Sequence, residues 1–226
     1  CDFKDGADVV VVNTCTVTEN GDADTRRLVN KINRVRGDSK IALIGCQAQI
    51  LKGDLLTLPN VQWVVGNHEK MNLASLIEDN TSTEPTVSVK KIKREPFTIE
   101  NTGFDRHHTR ANLKIQDGCD FYCSFCIIPF ARGPARSRFF EDILKEARLL
   151  AEHGFQEVVL TGINIGTYGY EGKTFMDVID GLSDIEGIRR IRISSIEPTT
   201  IPLELFNQMK ENPKLCRHLH IPLQSG

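Results

Sequence analysis

Short apolar runs alternate with amphipathic segments along the first third of the chain. The runs lie at residues 8–13, 40–44 and 61–65. Each is typical of a strand that is buried on both faces of a sheet. Residues 18–36 carry apolar side chains at helical spacing, and a helix is also expected after Asn67 and His68, which are candidates to cap it. Strand and helix in alternation predict a flavodoxin-like α/β domain with a parallel sheet at residues 1–79.

The same alternation returns in the second half of the chain. Strands are expected at residues 112–116, 157–161, 188–194 and 219–223, with helices at residues 140–153, 175–182 and 203–209. No hairpin signal separates these segments, so residues 109–226 are predicted to form the first half of a (β/α) barrel, whose chemistry gathers on the loops after the strands. Residues 80–108 are polar and are read as a linker. The basic run at 90–96 either contacts RNA phosphate or is simply solvated.

One loop of the predicted barrel contains three cysteines in the spacing C-x3-C-x2-C. They are Cys119, Cys123 and Cys126. Three thiolates on a tight loop can hold three irons of a [4Fe–4S] cube, and because most such clusters take four cysteines, one iron would be open to a ligand that is not protein. The alternatives are a zinc site completed by His107 or His108 and three thiols that bind no metal. Phe125 favours the cluster, since aromatic residues here would shield it and stack on adenine.

Two further cysteines follow predicted strands of the first domain. Cys15 comes after the strand at 8–13, and Cys46 comes after the strand at 40–44. Ligands of parallel α/β sheets bind beyond the carboxyl ends of the strands, so both cysteines are candidates for one metal site. Two buried thiols acting as small apolar side chains are the alternative.

A loop rich in arginine follows the three-cysteine loop. Arg132, Arg136 and Arg138 lie among glycine and proline residues. Guanidinium groups in this setting are suited to binding an anion or a phosphate, so Arg132, Arg136 and Arg138 are candidate substrate-binding residues. The alternative is an exposed loop whose charges only keep it soluble.

Composition restricts the cell compartment and the class of partner. The 226 residues carry a net charge of -2, so no overall basic field indicates nucleic-acid binding. No apolar run approaches the ~20 residues of a membrane span. Seven cysteines, an odd number, argue against a disulfide framework and for the reducing cytoplasm. Both ends of the sequence look cut, so a fragment of a longer protein is expected.

These motifs together resemble a known enzyme family. Residues 13–17 and 45–48 resemble the second and third cysteine motifs in the N-terminal domain of the methylthiotransferases, which are radical S-adenosylmethionine (SAM) enzymes. Residues 114–138 resemble the radical SAM motif of that family and its arginine-rich loop. The resemblance covers nearly the whole chain. It departs from the family in three ways: Cys1 does not match the first cysteine motif, and the rest of the barrel and the RNA-binding TRAM domain are absent.

The resemblance implies two [4Fe–4S] clusters and SAM. Cys15 and Cys46 would be ligands of an auxiliary cluster, and the three-cysteine loop would hold the cluster that binds SAM. In the family, one SAM methylates a sulfur on the auxiliary cluster, and a second yields a 5′-deoxyadenosyl radical that takes hydrogen from an aromatic carbon, to which the methylthio group moves. Residues expected to contact SAM, mostly from their position on strand exit loops, are Phe125, Gly162, Asn164, Ser195, Glu197 and Gln224.

The family acts on three substrates: isopentenyladenosine in tRNA, threonylcarbamoyladenosine in tRNA, and a ribosomal-protein aspartate. Residues 126–138 and 160–166 look most like the threonylcarbamoyl type. That substrate carries a carboxylate, with which Arg136 is predicted to pair. The implied partners are the anticodon loop of tRNA, modified at position 37, and an electron donor such as flavodoxin or ferredoxin; the oligomeric state is not predicted. A zinc-containing RNA-binding module without catalysis is the non-enzyme alternative.

Overall fold

The computed structural model describes residues 6–16, 19–79, 84–99 and 108–223, with the side chains of residues 19 and 20 excepted. Within these, the chain divides into two compact units. The first comprises residues 1–93 with 121–133, and the second comprises residues 94–120 with 134–226. The domain limits expected from the sequence, at 79/80 and 108/109, stay predictions. Cys1, His107 and Gln224 lie outside the described residues.

The first unit is a parallel α/β sheet. Its elements are β1 (Val9–Thr14), α1 (Glu19–Val35), β2 (Lys40–Gly45), α2 (Cys46–Leu51), β3 (Val61–Val65), α3 (Leu73–Asp79), β4 (Thr86–Ser88) and α4 (Ile128–Arg132), with 3-10 turns at Lys52–Thr57 and Lys70–Asn72. The strand order is β1-β2-β3-β4, and all three pairings are parallel. The predicted α/β class is therefore confirmed.

Burial in the first unit explains why these segments fold as they do. In β2, Ile41, Ala42 and Leu43 are all fully buried, as expected for a strand covered on both faces. In α1, Val29 and Ile32 lie one turn apart and are fully buried against the sheet. The prediction for β1 was wrong in one respect: its side chains alternate between buried and exposed, so only one face is covered.

The structure differs in three details from what was expected of the linker segment and the cap. Residues Thr86–Ser88 add a fourth strand beside β3 rather than a connection without regular structure. Ile92, inside the basic run, is buried. Asn67 caps no helix, since its side-chain amide donates to Ala131 O and to Cys46 Sγ instead.

The second unit has a three-stranded parallel sheet at its centre. Its elements are β5 (Ala111–Lys114), β6 (Gln116–Asp117), β7 (Arg136–Ser137), α5 (Phe140–Glu152), β8 (Glu157–Thr161), β9 (Gly169–Tyr170), β10 (Lys173–Thr174), α6 (Phe175–Ser183), β11 (Arg190–Ile193) and α7 (Glu204–Glu211). The sheet order is β11-β8-β5. Apolar side chains of α5 and α6, among them Ile143, Ala147 and Ile179, are completely buried with those of the strands.

Two predictions for the second unit were wrong. The strand expected at 219–223 is present only as an isolated bridge between Ser195 and His220. A short antiparallel hairpin of β9 and β10 precedes α6, although no hairpin was expected. Its turn places Glu171 and Gly172 at φ 47° and 79°, a left-handed pair that two-residue hairpins favour.

No helix among the described residues is both long enough and apolar enough to cross a membrane.

Candidate functional site

Cys15 and Cys46 follow the carboxyl ends of neighbouring parallel strands. Thr14, the last residue of β1, pairs in register with Gly45, the last residue of β2. The two cysteines are therefore the residues that directly follow the paired ends of strands about 4.8 Å apart. Cys15 is exposed, whereas Cys46 is buried. The structure thus brings these two predicted ligands to the same edge of the sheet.

Gly45 allows the turn that carries Cys46. Its φ of 102° lies in a region that L side chains rarely adopt, and a Cβ at this position would lie 2.6 Å from both Asn13 Oδ1 and Thr14 O. The Thr14 hydroxyl donates to Ile44 O at 2.7 Å, which ties the two strand ends together. A glycine is therefore required for β2 to pass directly into α2 beside β1.

The buried thiol of Cys46 is surrounded by side-chain donors. Arg132 Nε lies 3.1 Å from Cys46 Sγ, and Asn67 Nδ2 lies 3.4 Å from the same atom. Arg132 is the last residue of α4, which packs against α2 within the first unit. Arg132 therefore contacts a predicted metal ligand, a role that differs from the substrate anion binding expected for it.

In the second unit, Cys119 follows β6 through Gly118, which has a φ of 73°. The next residue, Asp120, accepts two hydrogen bonds from Arg94, at 2.7 and 2.9 Å, and one from the backbone of Ala135 at 3.2 Å. These bonds, led by the Arg94 side chain, hold the pKa of Asp120 below its ordinary value. Arg94 thus anchors the start of the cysteine loop.

Cys123 and Cys126 belong to the first unit. The backbone N–H of Cys126 donates to Cys123 O at 2.9 Å, which closes a turn over the C-x2-C spacing. Tyr122, which precedes Cys123, has a φ of 47°. Its ring packs edge-on against Phe130, with ring centroids 5.9 Å apart. Phe125 is 77% exposed. Its ring is therefore available to a ligand, as the stacking prediction requires.

Gln116 joins two loops of the second unit, and the sequence reading missed it. Its side chain is fully buried. Oε1 accepts from the backbone N–H groups of Ile163 and Asn164, both at 2.9 Å, and Nε2 donates to Gly118 O at 2.8 Å. The loop before Cys119 is thereby tied to the exit loop of β8. A Cβ at Gly162 would meet Gln116 at 3.0 Å, so that glycine is needed for the close approach.

The remaining arginines have different surroundings. Arg136 donates to Asp117 Oδ2 at 3.2 Å and lies over the ring of Phe97. Arg138 is completely buried and pairs with the carboxylates of Asp142 and Glu146. Burial raises the pKa of Glu146 despite that partner. Arg138 does not fit the predicted role in substrate binding, because its charge is enclosed and already paired.

The other residues predicted to contact SAM differ in their exposure to solvent. Ser195 is exposed, and its hydroxyl lies 2.6 Å from His220 Nδ1. Glu197 is half-buried at the start of the 3-10 turn Pro198–Thr200. Asn164 is buried, and its Oδ1 accepts from Thr200 at 2.9 Å, which fits a structural role in the loop.

Two family profiles match the segments that carry the cysteines. The profile of the radical SAM superfamily matches residues 113–226, half of the chain. A second profile, described as uncharacterized protein family UPF0004, matches residues 1–66. The chain belongs to the radical SAM superfamily.

Proteins that are similar to this radical SAM chain are longer than it. It is 40% identical to threonylcarbamoyladenosine tRNA methylthiotransferase MtaB of Bacillus subtilis, with 100% of the chain and 51% of that protein aligned. It is 32% identical to tRNA-2-methylthio-N(6)-dimethylallyladenosine synthase of Thermodesulfovibrio yellowstonii, with 97% of the chain and 51% of that protein aligned. The chain therefore spans about half the length of these relatives, and the predicted resemblance to methylthiotransferases is confirmed.

A solved structure shares the fold of the radical SAM chain. The radical SAM methyltransferase TsrM from Kitasatospora setae, with cobalamin and a [4Fe–4S] cluster bound, superimposes with a TM-score of 0.66 at 15% identity. The match covers 98% of the chain and 51% of the TsrM chain. Identity this low supports the fold alone.

The thiols of the radical SAM chain suit iron–sulfur ligation. Among the residues that the structure describes, no three His, Cys, Asp or Glu side chains are grouped as metal ligands. The six described cysteines form no disulfide with one another, so their sulfur atoms are retained as thiols. Thiolates on a turn of the C-x2-C kind are the donors that Fe–S clusters take. The thiols are therefore of the donor type that an Fe–S cluster takes.

Proposed function

We propose that the chain is the cluster-binding part of a tRNA methylthiotransferase that uses two [4Fe–4S] clusters and SAM. One observation carries the proposal: each of the two matching family profiles covers one cysteine group. The UPF0004 segment contains Cys15 and Cys46, and the radical SAM segment contains Cys119, Cys123 and Cys126. Two separate thiol groups are what a sulfur-transferring enzyme with an auxiliary cluster requires.

Each group has its own role in this proposal. Cys119, Cys123 and Cys126 hold the cluster that binds SAM, and Cys15 and Cys46 are ligands of the auxiliary cluster. When bound, these groups supply the one-electron reduction of SAM and the sulfur that is transferred. The protein shields and orients them.

Hydrogen bonds within the second unit provide that orientation. Arg94 holds Asp120 beside Cys119, and Gln116 holds the β8 exit loop that includes Gly162. Phe125 and Ser195 are exposed, so their side chains are accessible for contact with SAM.

The electron donor is a flavodoxin or ferredoxin in this proposal, and the reaction takes place in the cytoplasm, where tRNA is modified.

The proposed substrate is N6-threonylcarbamoyladenosine at position 37 of tRNA, modified at the adenine C2. The identity to MtaB of Bacillus subtilis, 40%, exceeds the 32% identity to the dimethylallyladenosine enzyme of Thermodesulfovibrio yellowstonii, which supports this substrate over isopentenyladenosine. The target base lies in a single-stranded loop, where unstacking costs little. Methylthiolation of a ribosomal-protein aspartate is the remaining family alternative.

Nucleoside analysis tests the substrate. Mass spectrometry of tRNA from a strain without the gene should show loss of the methylthio derivative of threonylcarbamoyladenosine and accumulation of its precursor. The gene on a plasmid should restore the product, and a Cys123→Ala version should not. Loss of the isopentenyl derivative instead would contradict the proposed substrate but not the proposed chemistry.

Arg136 is proposed to bind the substrate carboxylate. Its Nη2 is engaged by Asp117, and its Nε is buried with no hydrogen-bond partner among the residues that the structure describes. We expect Arg136→Gln to weaken activity on threonylcarbamoyladenosine at least tenfold and to change activity on isopentenyladenosine little. Equal loss on both substrates would contradict the assignment. Arg136→Lys, which keeps the charge, serves as the matched control.

Metal analysis separates an enzyme from a zinc module. The holoenzyme purified without oxygen should be brown and contain about eight irons, four per [4Fe–4S] cluster. Replacing Cys119, Cys123 and Cys126 by alanine should remove about half of the iron, and replacing Cys15 and Cys46 should remove the other half. A colourless protein with stoichiometric zinc would refute the proposed function.

A further inference from the structure

The sulfur of Cys46 is enclosed by two side-chain hydrogen-bond donors. Arg132 Nε lies 3.1 Å from Sγ and Asn67 Nδ2 lies 3.4 Å from it. Cys46 is 3% exposed and Asn67 is 8% exposed, so these contacts form away from water. All three residues belong to the first compact unit. A ligand thiolate at this position would therefore receive one charged and one neutral N–H group.

Asn67 also fixes the helix that carries Arg132. The same Nδ2 group donates to Ala131 O at 2.8 Å, and the backbone N–H of Asn67 donates to Gln49 Oε1 at 3.0 Å. Ala131 directly precedes Arg132 at the end of α4. One buried amide thus joins the end of β3, the sulfur of Cys46 and the last turn of α4.

Packing on the other side keeps α4 in this position. Gly133 ends the helix at a φ of 75°, and a Cβ there would lie 2.7 Å from the buried side chain of Ile92. A larger residue could not approach Ile92 so closely. The residues on either side of Arg132 in the sequence, Ala131 and Gly133, are therefore both held by contacts within the first unit.

Hydrogen bonds to cysteine sulfur are one of the factors that set the reduction potential of an iron–sulfur cluster. A nearby positive charge and N–H donors stabilise the reduced cluster, because that form carries more negative charge. Arginine keeps its charge at every physiological pH and directs its donors in a fixed plane. Arg132 has both properties at the Cys46 sulfur.

We propose that Arg132 and Asn67 are positioning residues for the auxiliary cluster, holding Cys46 Sγ as a ligand, and that Arg132 raises the reduction potential of that cluster. The proposal rests on the proposed function, in which Cys46 is a cluster ligand. The proposal assigns Arg132 to the metal centre, whereas the sequence pattern predicted that it binds the substrate. The arginine loop that follows the SAM-binding cysteines then also serves the auxiliary cluster.

The test isolates the auxiliary cluster in the holoenzyme. In a parent protein with Cys119, Cys123 and Cys126 replaced by alanine, only the auxiliary cluster is retained. Its midpoint potential is measured by electron-paramagnetic resonance during an anaerobic redox titration. We expect Arg132→Met to shift the ratio of reduced to oxidised cluster at least tenfold toward oxidised, which is about 59 mV for one electron. Arg132→Lys should give a smaller shift in the same direction.

Iron content gives a second measurement in the same proteins. We expect Asn67→Leu to lower the iron retained after gel filtration, because both Cys46 and α4 lose an anchor. If Arg132→Met retains no iron, recovery of iron in Arg132→Lys supports the proposal and equal loss in both variants overturns it. Arg34→Met, at an exposed arginine near the end of α1, is the matched control and should change neither potential nor iron.

The outcomes separate this proposal from the proposed function. A parent protein that binds no iron at all would refute the auxiliary cluster, and the role of Arg132 with it. A parent that binds iron and whose midpoint potential is the same with Arg132→Met would overturn only the inference. A potential lowered by Arg132→Met but not by Arg34→Met supports it.

Discussion

Gln116 is completely buried, and both ends of its side-chain amide are hydrogen-bonded. The amide is the hydrogen-bond partner of the backbone N–H groups of Ile163 and Asn164 and of Gly118 O. A buried polar group left without a partner costs about 1–3 kcal/mol. One side chain thus supports both the loop before Cys119 and the exit loop of β8.

We expect Gln116→Leu to lower the free energy of unfolding by roughly 2–4 kcal/mol, because it strands two N–H groups and one carbonyl. Gln116→Glu should also destabilise, since it loses the donor to Gly118 O and places a carboxylate in a completely buried position. Urea denaturation followed by circular dichroism measures both. Gln156→Leu, at an exposed glutamine, is the control. Equal stability of Gln116→Leu and wild type would contradict the structural role.

At the scale of single elements, two termini are fixed by specific local chemistry. Helix α6 begins at a capping box in which Thr174 accepts from Asp177 N, and Asp177 accepts from Thr174 N at 2.8 Å. Strand β2 ends at Gly45, where no side chain fits. The first feature sets where a helix starts, and the second sets the turn into Cys46.

The α6 cap should make stability depend on pH. The backbone N–H of Thr174, followed by its hydroxyl, holds the pKa of Asp177 below the ordinary value. A carboxyl whose pKa is lower in the folded state stabilises it above the unfolded pKa, near 4, and that contribution disappears as pH falls through the folded pKa. We expect Asp177→Asn to cost roughly 1 kcal/mol at pH 7 and progressively less below pH 4.

Urea denaturation of wild type and Asp177→Asn at a series of pH values measures this difference. Asp38→Asn, at an exposed aspartate outside any cap, provides the comparison at each pH. A difference between wild type and Asp177→Asn that is constant from pH 7 to pH 3 would exclude the cap as its source.

The end of β2 should tolerate no side chain. Gly45→Ala would force a Cβ to 2.6 Å from Asn13 Oδ1 and Thr14 O at a φ of 102°. We expect a loss of about 1–3 kcal/mol in the free energy of unfolding, because of strain at this backbone conformation, together with lower iron content after anaerobic reconstitution. Gly53→Ala is the control, since nothing lies within 4 Å of its added Cβ. Equal iron in both variants would argue against a coupling between this turn and the metal site.

At the scale of the whole molecule, charge is balanced rather than concentrated. The net charge is -2. Basic side chains of the segments at 90–94 and 132–138 are engaged by the protein itself: Lys90 by Glu69, Arg94 by Asp120, Arg132 by Cys46, Arg136 by Asp117, and Arg138 by Asp142 and Glu146. In the described part of these two segments, the cationic groups named are thus already paired within the protein.

We therefore expect RNA binding by this chain to depend weakly on salt. Affinity for an anticodon stem–loop, measured by fluorescence anisotropy, should fall about tenfold or less between 50 and 200 mM salt, which corresponds to roughly two phosphate contacts. Lys91→Glu, at an exposed lysine, should reduce any such dependence further. A loss of a thousandfold over that range would show a basic surface that the ion pairs do not account for.

Much of the architecture was predictable from local pattern. The apolar run at 61–65, the strand expected at 157–161 and the helices around Leu150 and Ile179 agree with β3, β8, α5 and α6 to within about one residue, because burial against the core selects apolar residues at the spacing of each element. The prediction of a strand at 219–223 was wrong, since the pairing of a strand depends on a neighbouring strand and not on its own residues alone.

The sequence by itself determined the identity of the thiols and the places where strands and helices alternate, since ligand chemistry and hydrophobic period are properties of residue type and spacing. The tertiary structure alone decided which groups each arginine contacts. Arg132 and Arg138 are six residues apart in one loop, yet one contacts the sulfur of Cys46 and the other is enclosed between two carboxylates. A guanidinium group pairs with whatever the fold brings within reach. Cys46 lies 86 residues from Arg132 in the sequence, whereas Asp142 and Glu146 follow Arg138 by four and eight residues and are brought to it by α5.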